Sequence, residues 1–87
     1  MKVVEFKDLR REEGQIFYIR KYYCITVLDL PTGQSEHPIK FSIEMNGIGQ
    51  KMVELTIENQ VNYPLIPVRK TIIEYILNQD KEGKLPC

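Results

Sequence analysis

The residue types most often used as nucleophiles, proton carriers or zinc ligands are scarce in this chain. There is one histidine, His37, and there are two cysteines, Cys24 and Cys87. A zinc site would have to combine them with carboxylates, in a spacing that matches no recognised ligand pattern. A Cys24–His37 nucleophile pair would need both groups exposed and adjacent, yet Cys24 lies inside a β-type run with no flanking signature. Cys24 therefore reads as a small buried apolar side chain, His37 beside Pro38 as a loop residue, and Cys87 as an exposed thiol. The segment Gly47-Ile48-Gly49-Gln50-Lys51 offers backbone N–H groups and a lysine, the parts of a phosphate cradle. A phosphate loop leads into a helix, however, and this one joins two strand-like segments, so it reads as a hairpin turn. Glu12 and Glu13 read as solvated charges at a loop tip. No catalytic residue, metal ligand or cofactor is implied, and the expectation is a protein without enzymatic activity.

One constellation remains, the run FYIRKYY over residues 17–23. Aromatic side chains interleaved with Arg20 and Lys21 resemble a surface that stacks and neutralises single-stranded nucleic acid. The same residue types are enriched at protein interfaces. Alternation along a strand would project Tyr18, Arg20 and Tyr22 from one face. Tyr18, Arg20, Lys21 and Tyr22 are thus the candidate interaction residues.

The elements that would position them follow from periodicity. Residues 16–30, IFYIRKYYCITVLDL, form the longest β-branched and aromatic run, the makings of a central strand. Phe17, Ile19, Tyr23, Ile25 and Val27 make the better core face. Tyr18, Arg20, Tyr22, Cys24, Thr26, Leu28 and Leu30 make the other. The length and the charged pair Arg20–Lys21 predict a bend or bulge there. Residues 2–8 read as a first strand, joined to the second by a polar hairpin over residues 7–15. Leu30-Pro31-Thr32-Gly33 suits a type I turn, and a link runs from it to Pro38, which would open the third strand.

Residues 39–45 alternate with Ile39, Phe41, Ile43 and Met45 inward, and residues 51–58 with Val53, Leu55 and Ile57 inward. Opposing Met45 to Lys51 aligns Ile43 with Val53, Phe41 with Leu55 and Ile39 with Ile57. A slip of one residue would put three apolar side chains into water. After a proline-punctuated loop, Pro67 fits the first position of a helix over residues 67–80. Its apolar stripe is Val68, Ile72, Ile73, Ile76 and Leu77. Lys70 and Glu74 are spaced for an ion pair, and Gly83 is the stop. The predicted fold is a single α+β domain, an antiparallel sheet of about four strands with one C-terminal helix on one face. The open sheet face would carry Tyr18, Arg20, Tyr22, Lys40, Ser42, Glu44, Glu54, Thr56 and Glu58.

Composition narrows the partners. The 87 residues hold twelve basic and twelve acidic side chains. The excess is +1 over residues 1–30, −2 over 31–60 and +1 over 61–87. No strong field draws the chain to nucleic acid or an anionic membrane, and near-zero charge does little to oppose self-association. No apolar run approaches the roughly 20 residues of a membrane span. The charged start MKVVEFKDLRREE lacks a signal-peptide core, and two cysteines make no disulfide framework. The expected location is the cytoplasm.

The order of elements, a sheet followed by the proline-led approach from Pro64 to Tyr75, is similar to that of the SpoVG family of sporulation regulators. That resemblance implies DNA binding, and no site residue is carried over from it. The residues themselves favour a protein partner, most simply a second copy in a homodimer, bound through the tyrosine-bearing face or a strand edge. Nucleic acid bound along residues 17–23 is the alternative.

Overall fold

The computed structural model describes residues 1–12, 19–59, 61 and 63–86. Four strands, β1 (Lys2–Glu12), β2 (Ile19–Leu30), β3 (Gly33–Met45) and β4 (Lys51–Ile57), precede one helix, α1 (Leu65–Lys81). The strands form one antiparallel sheet in the order β1-β2-β3-β4. The helix covers one face, giving a two-layer α+β fold.

The β3–β4 hairpin has the register that hydrophobic alternation predicts, with Ile39, Phe41 and Ile43 opposite Ile57, Leu55 and Val53. Its turn is closed by Asn46, whose Oδ1 accepts from the backbone N–H of Ile48 and Gln50. Gly49 supplies a φ of +81° there, a conformation that costs a residue without a Cβ little. From the helix, Val68, Ile72 and Ile76 are fully buried on this hairpin and on β2. Each contributes on the order of 1.5–3 kcal/mol by leaving water. The helix begins two residues before the predicted start, with Pro64 as N-cap. Pro67 is accommodated in the first turn because that turn's N–H groups have no intrahelical acceptor. At the other end Gly83 (φ +72°) closes the helix: its N–H bonds to Asp80 O, and Lys84 N–H to Gln79 O. This paired closure turns the chain back onto the sheet, where Leu85 is buried.

Four expectations are corrected. First, β1 runs on to Glu12 instead of giving way to a polar loop near residue 8. It is an edge strand, so its charged side chains stay in water while its backbone still pairs. Second, the irregularities lie in β1, not at Arg20–Lys21. β2 pairs β3 without interruption from Ile19 to Leu30, whereas β1 shifts register between Val3 and Glu5 and between Lys7 and Arg10. Asp8 takes φ +53° in the second shift, a conformation that aspartate tolerates better than most residues. Third, β3 starts at Gly33, and Pro38 lies inside it. Pro38 O accepts from Glu58 N–H just past the end of β4. The missing proline N–H points to that same side, where no strand continues, so no ladder bond is forfeited.

Fourth, the faces of β2 are reversed. Antiparallel partners share a face, and β2 sets Tyr22 opposite Phe41, Cys24 opposite Ile39 and Arg20 opposite Ile43. Tyr22, Cys24, Thr26, Leu28 and Leu30 therefore lie beneath the helix layer and are buried. Tyr23 and Ile25 look out from the uncovered face. Tyr18 and Cys87, and the predicted start of the second strand at residue 16, fall outside the described residues.

Candidate functional site

Which residues share the uncovered face follows from the ladder. Glu12, Lys21, Ser42 and Glu54 form one cross-strand row, and Arg10, Tyr23, Lys40 and Thr56 the next. Lys7, Ile25 and Pro38 follow, and then Glu5, Val27 and Glu36. The first two rows line a shallow depression of about 280 Å³. Tyr23, 37% exposed, stands at its centre. The neighbouring Glu12 carboxylate holds the Tyr23 phenol above its ordinary pKa. Lys40 lies 5.4 Å from the Tyr23 ring centroid and pairs with Glu58 at 3.2 Å. The Glu58 carboxylate raises the Lys40 pKa. Farther along, Lys7 reaches across β2 to Glu36 at 3.2 Å, and Val27 is buried between their strands.

The covered face has its own polar cluster, at the helix C-terminus. Arg20 Nη1 donates to Asp80 Oδ1 at 2.9 Å and to the Tyr22 hydroxyl at 3.3 Å. Lys51 Nζ donates to Asp80 Oδ2. The Tyr22 hydroxyl donates to Pro86 O at 3.1 Å. Only 7% of the Asp80 side chain is exposed. Arg20, followed by Lys51, holds its carboxyl below the usual carboxylate range, against a smaller upward push from burial. Reciprocally, Asp80 raises the Arg20 pKa. This cluster ties β2, β4, the helix and the tail together. Its charges satisfy one another, so its arrangement is that of a structural clamp.

The four sequence candidates therefore do not make one surface. Lys21 lies on the uncovered face, Arg20 and Tyr22 on the covered one, and Tyr18 outside the described residues. Tyr23, counted from sequence as a core residue, is the aromatic that the uncovered face presents. The overlooked signal was the two-residue turn at Pro31-Thr32. It sets Leu30 opposite Gly33, and counting back along both strands brings Tyr22 to Phe41. Cys24 and His37 also share the covered face, in neighbouring rows. Burial pushes the Cys24 thiol up to about 12, the opposite of the shift that activates a nucleophile. Burial also lowers the His37 pKa. Its Nε2 lies 2.7 Å from Ser35 Oγ. His37 Nδ1 and the facing Thr26 Oγ1 are buried without a partner among the described residues.

Among the described residues, no three or more His, Cys, Asp or Glu side chains are grouped to hold a metal ion. No helix there is long and apolar enough to cross a membrane. The fold and surface define a small α+β protein with one helix-covered and one uncovered sheet face. The chain belongs to the BB_0187 family, whose family model matches residues 1–80. No curated protein and no solved structure matches the chain.

Proposed function

We infer that the protein is a non-enzymatic protein-interaction module that self-associates through its uncovered sheet side. The observation that carries this reading is the one-sided sheet. The helix buries the covered face, while the other presents Tyr23, Ile25 and, at the end of β4, an exposed Met52. An amphipathic aromatic ringed by paired charges is a common anchor of protein interfaces. The charge of the uncovered face supports the same reading. Lys2, Lys7, Arg10, Lys21 and Lys40 are outnumbered there by Glu5, Glu12, Asp29, Glu36, Glu44, Glu54 and Glu58. A surface with that balance has no electrostatic preference for phosphate backbones. Arg20 and Lys21, the pair a nucleic acid would need, point to opposite faces. A cytoplasmic location accords with this reading.

Light scattering after size-exclusion chromatography, over a concentration series, tests it. The expected result is a mass that rises toward a dimer and ignores a mixed-sequence single-stranded oligonucleotide at low salt. A strict monomer would overturn self-association. A mass shift with the oligonucleotide that reverts at high salt would replace it with nucleic-acid binding.

A further inference from the structure

The β4 edge offers a more specific partner. Hydrogen-bonded pairs alternate along an antiparallel ladder. Glu58 N–H bonds to Pro38 O at one end of the β3–β4 hairpin, and Asn46 N–H to Gln50 O at the other. Both bonds fix the same phase, so the even-numbered β4 residues turn their main-chain groups toward β3. Lys51, Val53, Leu55 and Ile57 turn theirs outward, where β4 has no further strand. One bond to this edge confirms the phase: Arg69 Nη2, from the helix, donates to Leu55 O at 2.8 Å. The opposite edge is different in kind, because β1 carries two register shifts and a row of charges, both devices that blunt strand pairing.

We propose that β4 pairs antiparallel with β4 of a second copy about a two-fold axis at Leu55, and that Arg69 holds this pairing in check. This deepens the self-association reading and rests on it. Complementarity selects the register. With Leu55 on the axis, Val53 meets Ile57 of the second copy on the covered face, and Glu54 meets Thr56 on the uncovered face. An axis at Glu54 opposes Glu54 to itself, and an axis at Thr56 opposes Glu54 to Glu58, each a pair of like charges. An axis at Val53 sets Lys51 against Leu55. The axis at Leu55 alone among these continues the apolar rim of half-buried Val53 and Ile57 without opposing like charges. It makes one eight-stranded sheet with both helices on the same side. Forming it requires Leu55 O to exchange the Arg69 guanidinium for a main-chain N–H, so Arg69 opposes association.

Amide hydrogen exchange over a protein concentration series, on the wild type and on Arg69→Ala, tests this. The expected result is protection that grows with concentration at the N–H groups of Lys51, Val53, Leu55 and Ile57. Those of Glu54 and Thr56, which already face β3, do not change. Arg69→Ala tightens the dimer about tenfold or more, the worth of a hydrogen bond to a charged group. Val53→Pro removes one outward N–H and abolishes the dimer, while continued protection of Glu54 and Thr56 certifies the hairpin. Association that leaves the outward amides unprotected overturns the edge pairing and leaves self-association through the uncovered face standing. A monomeric Arg69→Ala at every concentration overturns both.

Discussion

Arg20 and Asp80 meet at 2.9 Å across sixty residues of sequence. The contact joins the start of the central strand to the last turn of the helix, with Lys51 of β4 on the second carboxylate oxygen. Removing Asp80 leaves two cations facing each other over a partly buried site. Arg20 keeps 29% of its side chain exposed, so solvent screens part of the loss. Asp80→Ala should cost about 1–3 kcal/mol, read as a lower urea midpoint with an unchanged m-value. The pH dependence carries the same sign. The folded carboxyl has a lowered pKa, so its stabilisation is present above the unfolded value of about 3.9 and fades as pH falls through the folded value. Asp80→Ala should flatten that acid limb.

Tyr22 and Tyr23 are neighbours in sequence with opposite fates, 1% and 37% exposed. Tyr22 stacks on Phe41 with ring centroids 5.0 Å apart, and its hydroxyl bridges Arg20 and Pro86. Tyr22→Ala should cost about 3–5 kcal/mol. At about 4–8 °C per kcal/mol for a domain of this size, that lowers Tm by more than 10 °C. Tyr22→Phe keeps the ring and should cost about 1 kcal/mol. Tyr23→Ala should stay within about 1 kcal/mol of wild type and, on the proposed function, weaken self-association. Thermal melts of the three variants separate the core residue from the surface one.

That contrast also marks where the sequence is legible. β3 and β4 alternate apolar and charged residues so cleanly that only one register keeps Val53, Leu55 and Ile57 dry, and the helix stripe at Val68, Ile72 and Ile76 has one reading. β2 has no such contrast. Tyr22, Cys24, Thr26 and Leu28 on one face and Tyr23, Ile25 and Val27 on the other are nearly equal in apolar content, so periodicity within the strand does not choose. The choice is made by pairing with β3, a non-local constraint fixed at Pro31-Thr32. The extension of β1 to Glu12 is hidden for a related reason, because an edge strand needs little apolar side chain to pair. The Arg20–Asp80 contact has no local signal at all.

His37 faces Thr26 across the ladder, with its Nδ1 buried and unpartnered among the described residues. Burial lowers the folded pKa below the ordinary 6.5. The unfolded chain therefore binds the proton more readily, and stability rises with pH wherever it does so. The contribution of His37 should be complete above about pH 6.5 and fall as acid carries the protein toward the lowered folded value. NMR titration of the ring protons should place the folded midpoint below 6.5. A midpoint above it would mean that a carboxylate or other acceptor reaches the ring and that the stability slope has the opposite sign.

Cys24 gives the alkaline counterpart. It sits opposite Ile39 in the core, where burial raises the thiol from 9.0 to about 12. The unfolded thiol ionises first, so stability from this group is complete below about pH 9 and is lost as pH climbs toward 12. In a Cys87→Ser background, Cys24→Ala should flatten the alkaline limb of urea stability between pH 8 and pH 10, about the range where the unfolded thiol titrates. Its cost at neutral pH should be modest, about 1 kcal/mol, because little volume leaves the core. The native thiol should also react with a disulfide reagent only as fast as the protein opens, since the thiolate is the attacking species. Rapid modification of the folded protein at pH 8 would place Cys24 at an accessible surface and contradict its position beneath the helix.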